Sequence, residues 1–338
     1  MVDVIVGGQG GDEGKGKIAA YLAIKDGYHY CVKVGGPNAG HTVFVKGKPV
    51  ALRSIPAGFV NPKTKLVLPA GSYIIIDWLL REIEETGVSQ RLIIDPHCVV
   101  ITKEQQNEEK TNQHLMGNIG SVGTGLGIAI RDRVERKNIK FAKDCSEIKK
   151  YIKPVSEMLV NEIEKGKKVL IEGTQGIKLS LFHGEYPFTT SRDTTASTFL
   201  AETGLGPRYV KDVYLVIKPY VSRVGPGPLK KEITDPQLLR KYHTDGREVA
   251  SVSKRLRRIG EFEFETVKKA IIINSATKIA ITHFDLIYNK EFTKLSEIKG
   301  KKAAKFLKVL TKLTQIYPYP QISLISIGPN TEDVIDLR

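Results

Sequence analysis

A glycine-rich loop near the start of the chain places two carboxylates among residues that suit phosphate binding. The stretch 6–17, VGGQGGDEGKGK, follows an apolar β-branched run and precedes apolar residues at helical spacing. It therefore joins a strand to a helix N-terminus, where free N–H groups and the helix dipole favour anions. Residues 11–17 match the phosphate-loop pattern GxxxxGK, but Ile18 stands where that pattern requires a magnesium-binding hydroxyl.

The acidic residues of this loop are Asp12 and Glu13. A carboxylate beside a triphosphate is unfavourable unless it has a chemical role. It can ligate magnesium or act as a general base, so we expect Asp12 to take part in the chemistry. The alternative is a tight strand-to-helix turn with solvated charges.

A second glycine loop, GGPNAGHT at 35–42, presents Asn38 and His41. Histidine suits proton transfer near neutral pH, although a single histidine is more often structural. The loops that carry Asp12 and His41 follow consecutive strand-like runs of the chain, so a base and an acid could meet there.

Two more glycine loops carry polar groups. GSVGTGLG at 120–127 precedes Arg131, Arg133 and Arg136, which indicates either anion binding or an exposed basic helix. EGTQG at 172–176 presents Gln175 and precedes the hydroxyl-rich segment 186–195, which includes Thr190. These hydroxyls can bind phosphate or sugar, or they can cap a helix.

The second half of the chain has a basic segment, SVSKRLRRIG at 251–260, and a carboxylate at Asp285. Clustered arginines fit carboxylate or phosphate, but a solvated basic loop or an RNA-binding patch has the same composition. Asp285 can accept two hydrogen bonds from the edge of a guanine, or it can cap a turn.

These loops require a frame that brings them together. Strand-like runs at 2–6, 30–34, 66–69, 92–95, 169–172, 212–217, 279–282 and 322–327 alternate with helical patterns at 72–86, 145–165, 262–275 and 301–315. The alternation predicts an α/β fold with a mostly parallel central sheet flanked by helices, as one domain over 1–338. Glycine clusters follow the strands, so the loops should converge on the carboxyl edge of the sheet.

Composition narrows the class of protein. The 338 residues are 41% hydrophobic and carry a net charge of +15, which favours anionic partners such as nucleotides. Cys31, Cys98 and Cys145 are widely spaced, which indicates reduced structural thiols. No signal peptide precedes the first strand and no apolar run approaches membrane-spanning length, so we expect a soluble, cytoplasmic protein.

Together these motifs resemble one family, adenylosuccinate synthetase. GGQGGDEGKGK, GGPNAGHT, EGTQG, EYPFTTSRDTT, GLGPRYV, RVGPGPL and SVSKRLRRIG occur in the order and spacing of that family, from Val4 to Asn330. The resemblance implies that IMP, L-aspartate and GTP yield adenylosuccinate, GDP and phosphate with magnesium. GTP would phosphorylate the purine 6-oxygen, and the aspartate amine would then displace phosphate.

The resemblance also implies a role for each matching residue. Asp12 would take the proton from the purine ring and touch magnesium, His41 would be the acid, and Lys15 would neutralise the transferred phosphoryl group. Gln175 completes the implied catalytic set, and the backbone carbonyl of Gly40 would bind magnesium.

The implied substrate contacts form three sets. The IMP set is Asp12, Glu13, Gly14, Lys15, Asn38, Ala39, Gly40, His41, Ser121, Arg136, Gln175, Thr190 and Arg255. The aspartate set is Val224, Ser251, Val252, Ser253, Lys254, Arg255, Leu256 and Arg257. The GTP set is Asp12, Glu13, Gly14, Lys15, Gly16, Lys17, Gly40, His41, Thr42, Arg257, His283, Phe284, Asp285, Ser326, Ile327 and Gly328. Arg136 would reach the site of a partner subunit, which implies a homodimer, and no nucleic acid or membrane partner is implied.

The chain departs from the family pattern at several positions. Gly10 replaces a tryptophan, Ser121-Val122 replaces a threonine pair, and His283 replaces a lysine beside the guanine. Ser121 could supply the missing hydroxyl. Segments after Arg136 and Asp285 are also short.

Two rival classes remain open at this point. One is a nucleotide-hydrolysing switch with a modified phosphate loop, and the other is a basic nucleic-acid binder. A switch would be expected to keep the hydroxyl that Ile18 replaces. A nucleic-acid binder has no need of Asp12 and His41 on glycine loops, and aromatic residues make up only 7% of the chain.

Overall fold

A nine-stranded sheet forms the frame of the computed structural model, which describes residues 1–244, 248–250, 255–288, 292 and 294–338. In this part of the chain the strands are β1 (Val2–Gly7), β2 (Tyr30–Lys33), β3 (His41–Val45), β4 (Lys48–Leu52), β5 (Lys65–Leu68), β6 (Tyr73–Ile74), β7 (Leu92–Ile94), β8 (Val99–Val100), β9 (Val169–Glu172), β10 (Val210–Ile217), β11 (Val221–Arg223), β12 (Arg258–Gly260), β13 (Lys278–Ile281), β14 (Gln321–Ser326) and β15 (Val334–Asp336). The α-helices are α1 (Lys15–Lys25), α2 (Ile76–Thr86), α3 (Lys103–Thr111), α4 (Leu126–Val134), α5 (Ser156–Glu164), α6 (Ala196–Thr203), α7 (Pro236–His243), α8 (Phe264–Asn274) and α9 (Lys301–Leu313).

The main sheet has the order β15-β14-β13-β10-β1-β9-β2-β5-β7. Its strands pair in parallel, except that β15 runs antiparallel to β14. The first strand therefore lies at the centre, between β9 and β10. This confirms the predicted α/β class with a mostly parallel sheet.

Strand β1 is buried on both faces because its apolar residues alternate between two cores. Val4 and Val6 belong to the cluster that contains Phe199 of α6. Ile5 points the other way, into the cluster that contains Ile18 and Leu22 of α1. A continuous apolar run is typical of such a two-sided parallel strand.

Each of the eight predicted strands lies within two residues of its expected bounds. The expected helix over 145–165 is wrong in part, because 146–151 forms a 3₁₀ turn and α5 begins only at Ser156. Pro154 explains the break, since proline disfavours helical geometry in the residue before it. The expected helix over 72–86 begins at Ile76, after the short strand β6. No helix in the described ranges is long and apolar enough to cross a membrane.

The β3–β4 hairpin projects from the sheet and pairs His41 with Leu52. The chain that leaves the hairpin is fixed by Glu82, a buried residue of α2. Its carboxylate accepts backbone hydrogen bonds from Arg53 at 2.6 Å and from Ser54 and Ile55 at 2.9 Å each. A single side chain thus satisfies three backbone donors.

We expect Glu82→Ala to lower the free energy of unfolding by about 3 kcal/mol, because buried N–H groups lose a charged acceptor. Urea denaturation measures this change. The matched control is Glu84→Ala, an exposed position on the same helix, which should leave the transition unchanged. Equal stability of the two variants would contradict the anchoring role of Glu82.

Candidate active site

A cavity of about 990 Å³ opens at the carboxyl edge of the sheet, where the glycine loops converge. The sequence predicted this convergence. The predicted site residues that line the cavity are Asp12, Gly14, Lys15, Gly16, Lys17, Asn38, Ala39, Gly40, His41, Thr42, Ser121, Gln175, Thr190, Val224, Arg257, His283, Asp285, Ser326 and Gly328.

Six other predicted residues do not line the cavity. Glu13 lies fully buried in the glycine loop, and Phe284 is fully buried in the core. Ile327 packs partly against the same core, while the other three lie on the exposed surface. Those exposed residues are Arg136, Arg255 and Leu256. Ser251, Val252, Ser253 and Lys254 lie outside the described residues.

The glycine loop is shaped by the side chain of Glu13. Its carboxylate accepts backbone hydrogen bonds from Gln9 at 3.0 Å and Gly11 at 2.9 Å, and it pairs with the Lys15 ammonium at 2.5 Å. At Gly176, which packs against this carboxylate, an added Cβ would come within 2.3 Å of it. Glu13 therefore organises the loop from inside and leaves the neighbouring carboxylate to face the cavity.

Asp12 is that neighbour. Its φ of 59° is unusual for a residue with a side chain, and Gln175 and His283 have similar values of 64° and 53°. All three line the cavity. Strained backbone of this kind persists where surrounding structure enforces it, and it clusters at functional sites.

A line of alternating charges connects Asp12 to the sheet. Arg257 donates to Asp12 Oδ1 at 2.8 Å and to Glu248 Oε2 at 3.0 Å. Glu248 in turn pairs with Lys218 at 2.7 Å, and both of these side chains are fully buried. Although burial raises it, Lys218 is the main group that holds the pKa of Glu248 well below its usual value. Arg257 therefore reaches Asp12 from a fixed, ionised anchor.

His41 is held by a buried carboxylate on β9. Its Nδ1 is bonded to Glu172 Oε1, and Glu172 Oε2 accepts the Ala57 backbone N–H at 2.6 Å. Burial lowers the pKa of His41, and Glu172 opposes that shift. Since Nδ1 is engaged, Nε2 is the nitrogen that can act in the cavity. Such a pairing orients an imidazole for proton transfer.

Two amides offer oxygens toward a ligand. Asn38 Oδ1 and Gln175 Oε1 are buried, and neither has a hydrogen-bond partner among the described residues. A buried polar atom without a partner is costly, so its presence in a cavity wall indicates a binding contact. Thr190 lies in the same wall.

Another part of the cavity wall connects Lys17 to the end of β14, the last parallel strand of the sheet. Lys17 Nζ donates to Ser326 Oγ at 2.6 Å and to the Gly328 carbonyl at 2.5 Å. The sequence predicted all three of these residues for GTP. His283 lies nearby, and burial lowers its pKa to about 4. His283 is therefore neutral, whereas the lysine that the resemblance led us to expect here would be charged.

The third glycine loop meets an acidic residue that the sequence did not single out. Glu109 of α3 is buried and accepts hydrogen bonds from Ser121 Oγ and the Gly125 N–H. Val122 lines the cavity beside Ser121. The Ser121 hydroxyl therefore lies at the cavity wall, with its proton committed to Glu109.

The described part of the cavity wall offers few carboxylates to a magnesium ion. The described residues contain no group of three or more His, Cys, Asp or Glu side chains that could hold a metal ion. Magnesium commonly binds one or two protein carboxylates together with substrate phosphates. Asp12, on a loop of the phosphate-binding type, fits that mode.

Several residues of the site escaped sequence reasoning. Glu172 is the last residue of a predicted strand and belongs to the EGTQG motif, so its position close to Gln175 was a usable signal. Glu248, Lys218 and Glu109 had no such signal, because their partners are distant in sequence.

The chain matches known proteins over nearly its whole length. The family model described as adenylosuccinate synthetase matches residues 4–147 and 140–318. The adenylosuccinate synthetase of Methanococcus vannielii is 44% identical over 344 aligned residues, which cover 99% of this chain and 98% of that protein. This chain belongs to the adenylosuccinate synthetase family. The family member from Methanocaldococcus jannaschii is 42% identical, with 99% and 96% of the two chains covered.

Solved structures agree on the fold. Fully ligated adenylosuccinate synthetase from Plasmodium falciparum superposes with a TM-score of 0.87 at 23% identity, over 100% of both chains. A cyanophage S-2L succinoaminodeoxyadenylate synthetase, bound to dGMP and to dATP as an energy donor, gives a TM-score of 0.80 at 23% identity, over 99% of this chain and 95% of that chain. The synthetase fold is therefore common to these proteins at low identity.

We expect Glu248→Gln to destabilise the protein by about 3–5 kcal/mol at pH 7, because Lys218 stays buried without its counter-charge. The pKa of Glu248 is depressed in the fold, so its contribution is complete above the usual value of 4.5 and is lost as pH falls below it. Urea unfolding at several pH values should show the difference from wild type narrowing in acid.

The matched control is Glu261→Gln, which removes an exposed ion pair with Lys231. This variant should not change the free energy of unfolding measurably at any of these pH values. A Glu248→Gln variant as stable as wild type at pH 7 would contradict the proposed anchor.

Proposed function

We propose that this chain ligates L-aspartate to IMP with GTP, by the residue roles given below. The ligase activity follows from membership of the family. The observation that supports the roles is that Asp12, with its Arg257 partner, and His41, with its Glu172 partner, line one cavity. A base and an acid are thereby available to one bound purine.

The chemical problem is that the 6-oxygen of hypoxanthine is a poor leaving group. Asp12 removes the proton from the ring nitrogen beside that oxygen, and the oxygen attacks the γ-phosphorus of GTP. GDP leaves, and 6-phosphoryl-IMP remains. The aspartate amine then attacks C6, and the C6–O bond breaks as phosphate departs with support from His41.

The cavity divides among the substrates. Asn38 and Gln175 offer their unpartnered oxygens to IMP, beside Thr190. The turn at Ser326, which Lys17 holds in place, and Asp285 take GTP. By the resemblance, the segment 251–257 takes aspartate, and of its described residues Arg257 lines the cavity, as does Val224.

The proposed reaction also requires a magnesium ion and a second subunit. Asp12 and the carbonyl of Gly40 would hold magnesium, which neutralises charge on the transferred phosphoryl group when bound. Lys15 contributes a further positive charge from the helix N-terminus. Arg136 is exposed at the end of α4, as expected for a residue that serves a partner subunit's site in a homodimer.

A direct assay tests this function. Purified protein is incubated with GTP, magnesium and IMP, with and without aspartate, while adenylosuccinate formation is followed by absorbance. Product should form only when every component is present. GTP hydrolysis that is indifferent to IMP and aspartate would support a nucleotide-hydrolysing switch instead.

We expect Asp12→Asn to lower kcat by at least about 100-fold, because the amide cannot accept the ring proton. IMP affinity should stay within about threefold, since the amide oxygen can still accept from Arg257. Steady-state kinetics and IMP calorimetry measure both quantities. Asp77→Asn, at an exposed position on α2, is the control with wild-type activity. Near-normal turnover by Asp12→Asn would refute the base assignment.

We expect Asp285→Asn to shift the nucleotide preference from GTP towards xanthosine triphosphate. The carboxylate can accept from both donors on the guanine edge, whereas an amide can donate to the 2-oxygen of xanthine. The kcat/KM for GTP should fall at least about tenfold while that for xanthosine triphosphate rises. The KM for IMP is the internal control. Unaltered selectivity between these triphosphates would contradict the role of Asp285.

A further inference from the structure

We propose that Lys33 is a positioning residue for His41: its buried ammonium fixes the Glu172 carboxylate and the end of the β3–β4 hairpin, so that the imidazole faces the cavity. The inference rests on the proposed function, in which His41 acts on the departing phosphate. Lys33 does not line the large cavity, so it acts through other residues.

Sheet register places Lys33 beside the histidine's partner. Strands β2 and β9 are parallel neighbours, and Lys33 is the register partner of Glu172. Side chains at paired positions project from the same face of a sheet, and the charges of Lys33 and Glu172 interact electrostatically. The sequence therefore sets a cation next to the carboxylate that bonds to His41 Nδ1.

The same lysine reaches the hairpin that carries His41. Lys33 Nζ donates to the Leu52 carbonyl at 3.3 Å, and Leu52 is the register partner of His41. Glu82 holds the next three backbone N–H groups of this chain segment. Lys33 thus joins strand β2 of the frame to the hairpin, on the face of the sheet that carries Glu172.

The charges around Lys33 favour this arrangement. Its side chain is only 3% exposed, and burial lowers the pKa of Lys33, while Glu172 and Glu82 oppose that shift. Burial alone would raise the pKa of Glu172, but His41 and Lys33 keep it below its usual value. An ionised Glu172 accepts a proton-bearing Nδ1, which leaves His41 Nε2 toward the cavity.

A contribution to stability alone does not explain a buried lysine at this position. Replacing buried charged groups with well-packed apolar side chains is often neutral or stabilising, so the burial of Lys33 indicates a benefit other than stability. The cavity-lining histidine on the far side of Glu172 supplies one. Removal of the charge should therefore affect turnover more than substrate binding.

The test uses Lys33→Met, which removes the charge, and Lys33→Gln, which removes the charge but keeps a donor for Leu52. Both should lower kcat at least about tenfold, while each KM stays within about twofold. Lys65→Met, at an exposed site on the neighbouring strand β5, is the control and should retain wild-type kinetics.

A double-variant comparison separates positioning from general damage. If Lys33 acts through Glu172, then Lys33→Met should cause less than about a twofold further loss of kcat in a Glu172→Gln background. Full additivity of the two losses would overturn the proposal. Loss of IMP binding together with a large fall in the thermal midpoint for both Lys33 variants would also overturn it, in favour of a structural role.

An activity-independent readout completes the test. NMR of histidine-labelled protein should show a hydrogen-bonded Nδ1 proton of His41, assigned by its loss in His41→Asn. In Lys33→Met this signal should shift or disappear, and an unchanged signal would overturn the proposal. If wild-type protein formed no adenylosuccinate while the signal still depended on Lys33, the proposed function would fail and the positioning role would stand.

Discussion

The ion pair between Asp12 and Arg257 is the interaction on which the site depends. A carboxylate in a loop of the phosphate-binding type competes with the anions that such a loop attracts. Arg257 compensates for this charge at 2.8 Å, and Glu248 fixes Arg257 from the other side. Lys218 then neutralises Glu248 in the interior. Lys218 and Glu248 are both fully buried, so the loss of Glu248 leaves a buried cation without its counter-charge.

This constraint extends across the molecule because the linked residues come from distant parts of the chain. Arg257 immediately precedes β12, whereas Asp12 follows the central strand β1. Lys17 connects the same N-terminal loop to the turn after β14. The parallel sheet makes these connections short, since the carboxyl ends of its strands meet at one edge. In the proposed reaction, the magnesium ion bound to the nucleotide would take the place of Arg257 as the cation beside Asp12.

Much of the frame could be predicted from sequence because its signals are local. Many of the strands are apolar, β-branched runs, and glycine clusters follow them. Both the sheet and the edge that carries the cavity could therefore be predicted. The prediction of a helix over 145–165 was wrong before Ser156, because Pro154 disfavours helical geometry in the residue before it. The effect of proline is also a local rule, and here it outweighed the apolar spacing. Phe284 shows a different limit, since a residue adjacent to predicted ligands proved to be fully buried in the core. Glu248 and Lys218 could not be predicted, because their pairing over 30 residues is created only by the fold.

In the proposed reaction Asp12 activates the purine oxygen for phosphorylation before aspartate attacks. Positional isotope exchange tests it most directly, with GTP that carries ¹⁸O in the β,γ-bridge. Reversible transfer to IMP lets the β-phosphate of GDP rotate, so the label should scramble with IMP and magnesium in the absence of aspartate. Scrambling should vanish without IMP and in Asp12→Asn. Product formation by wild-type protein without any scrambling, or scrambling that persists in Asp12→Asn, would contradict the account.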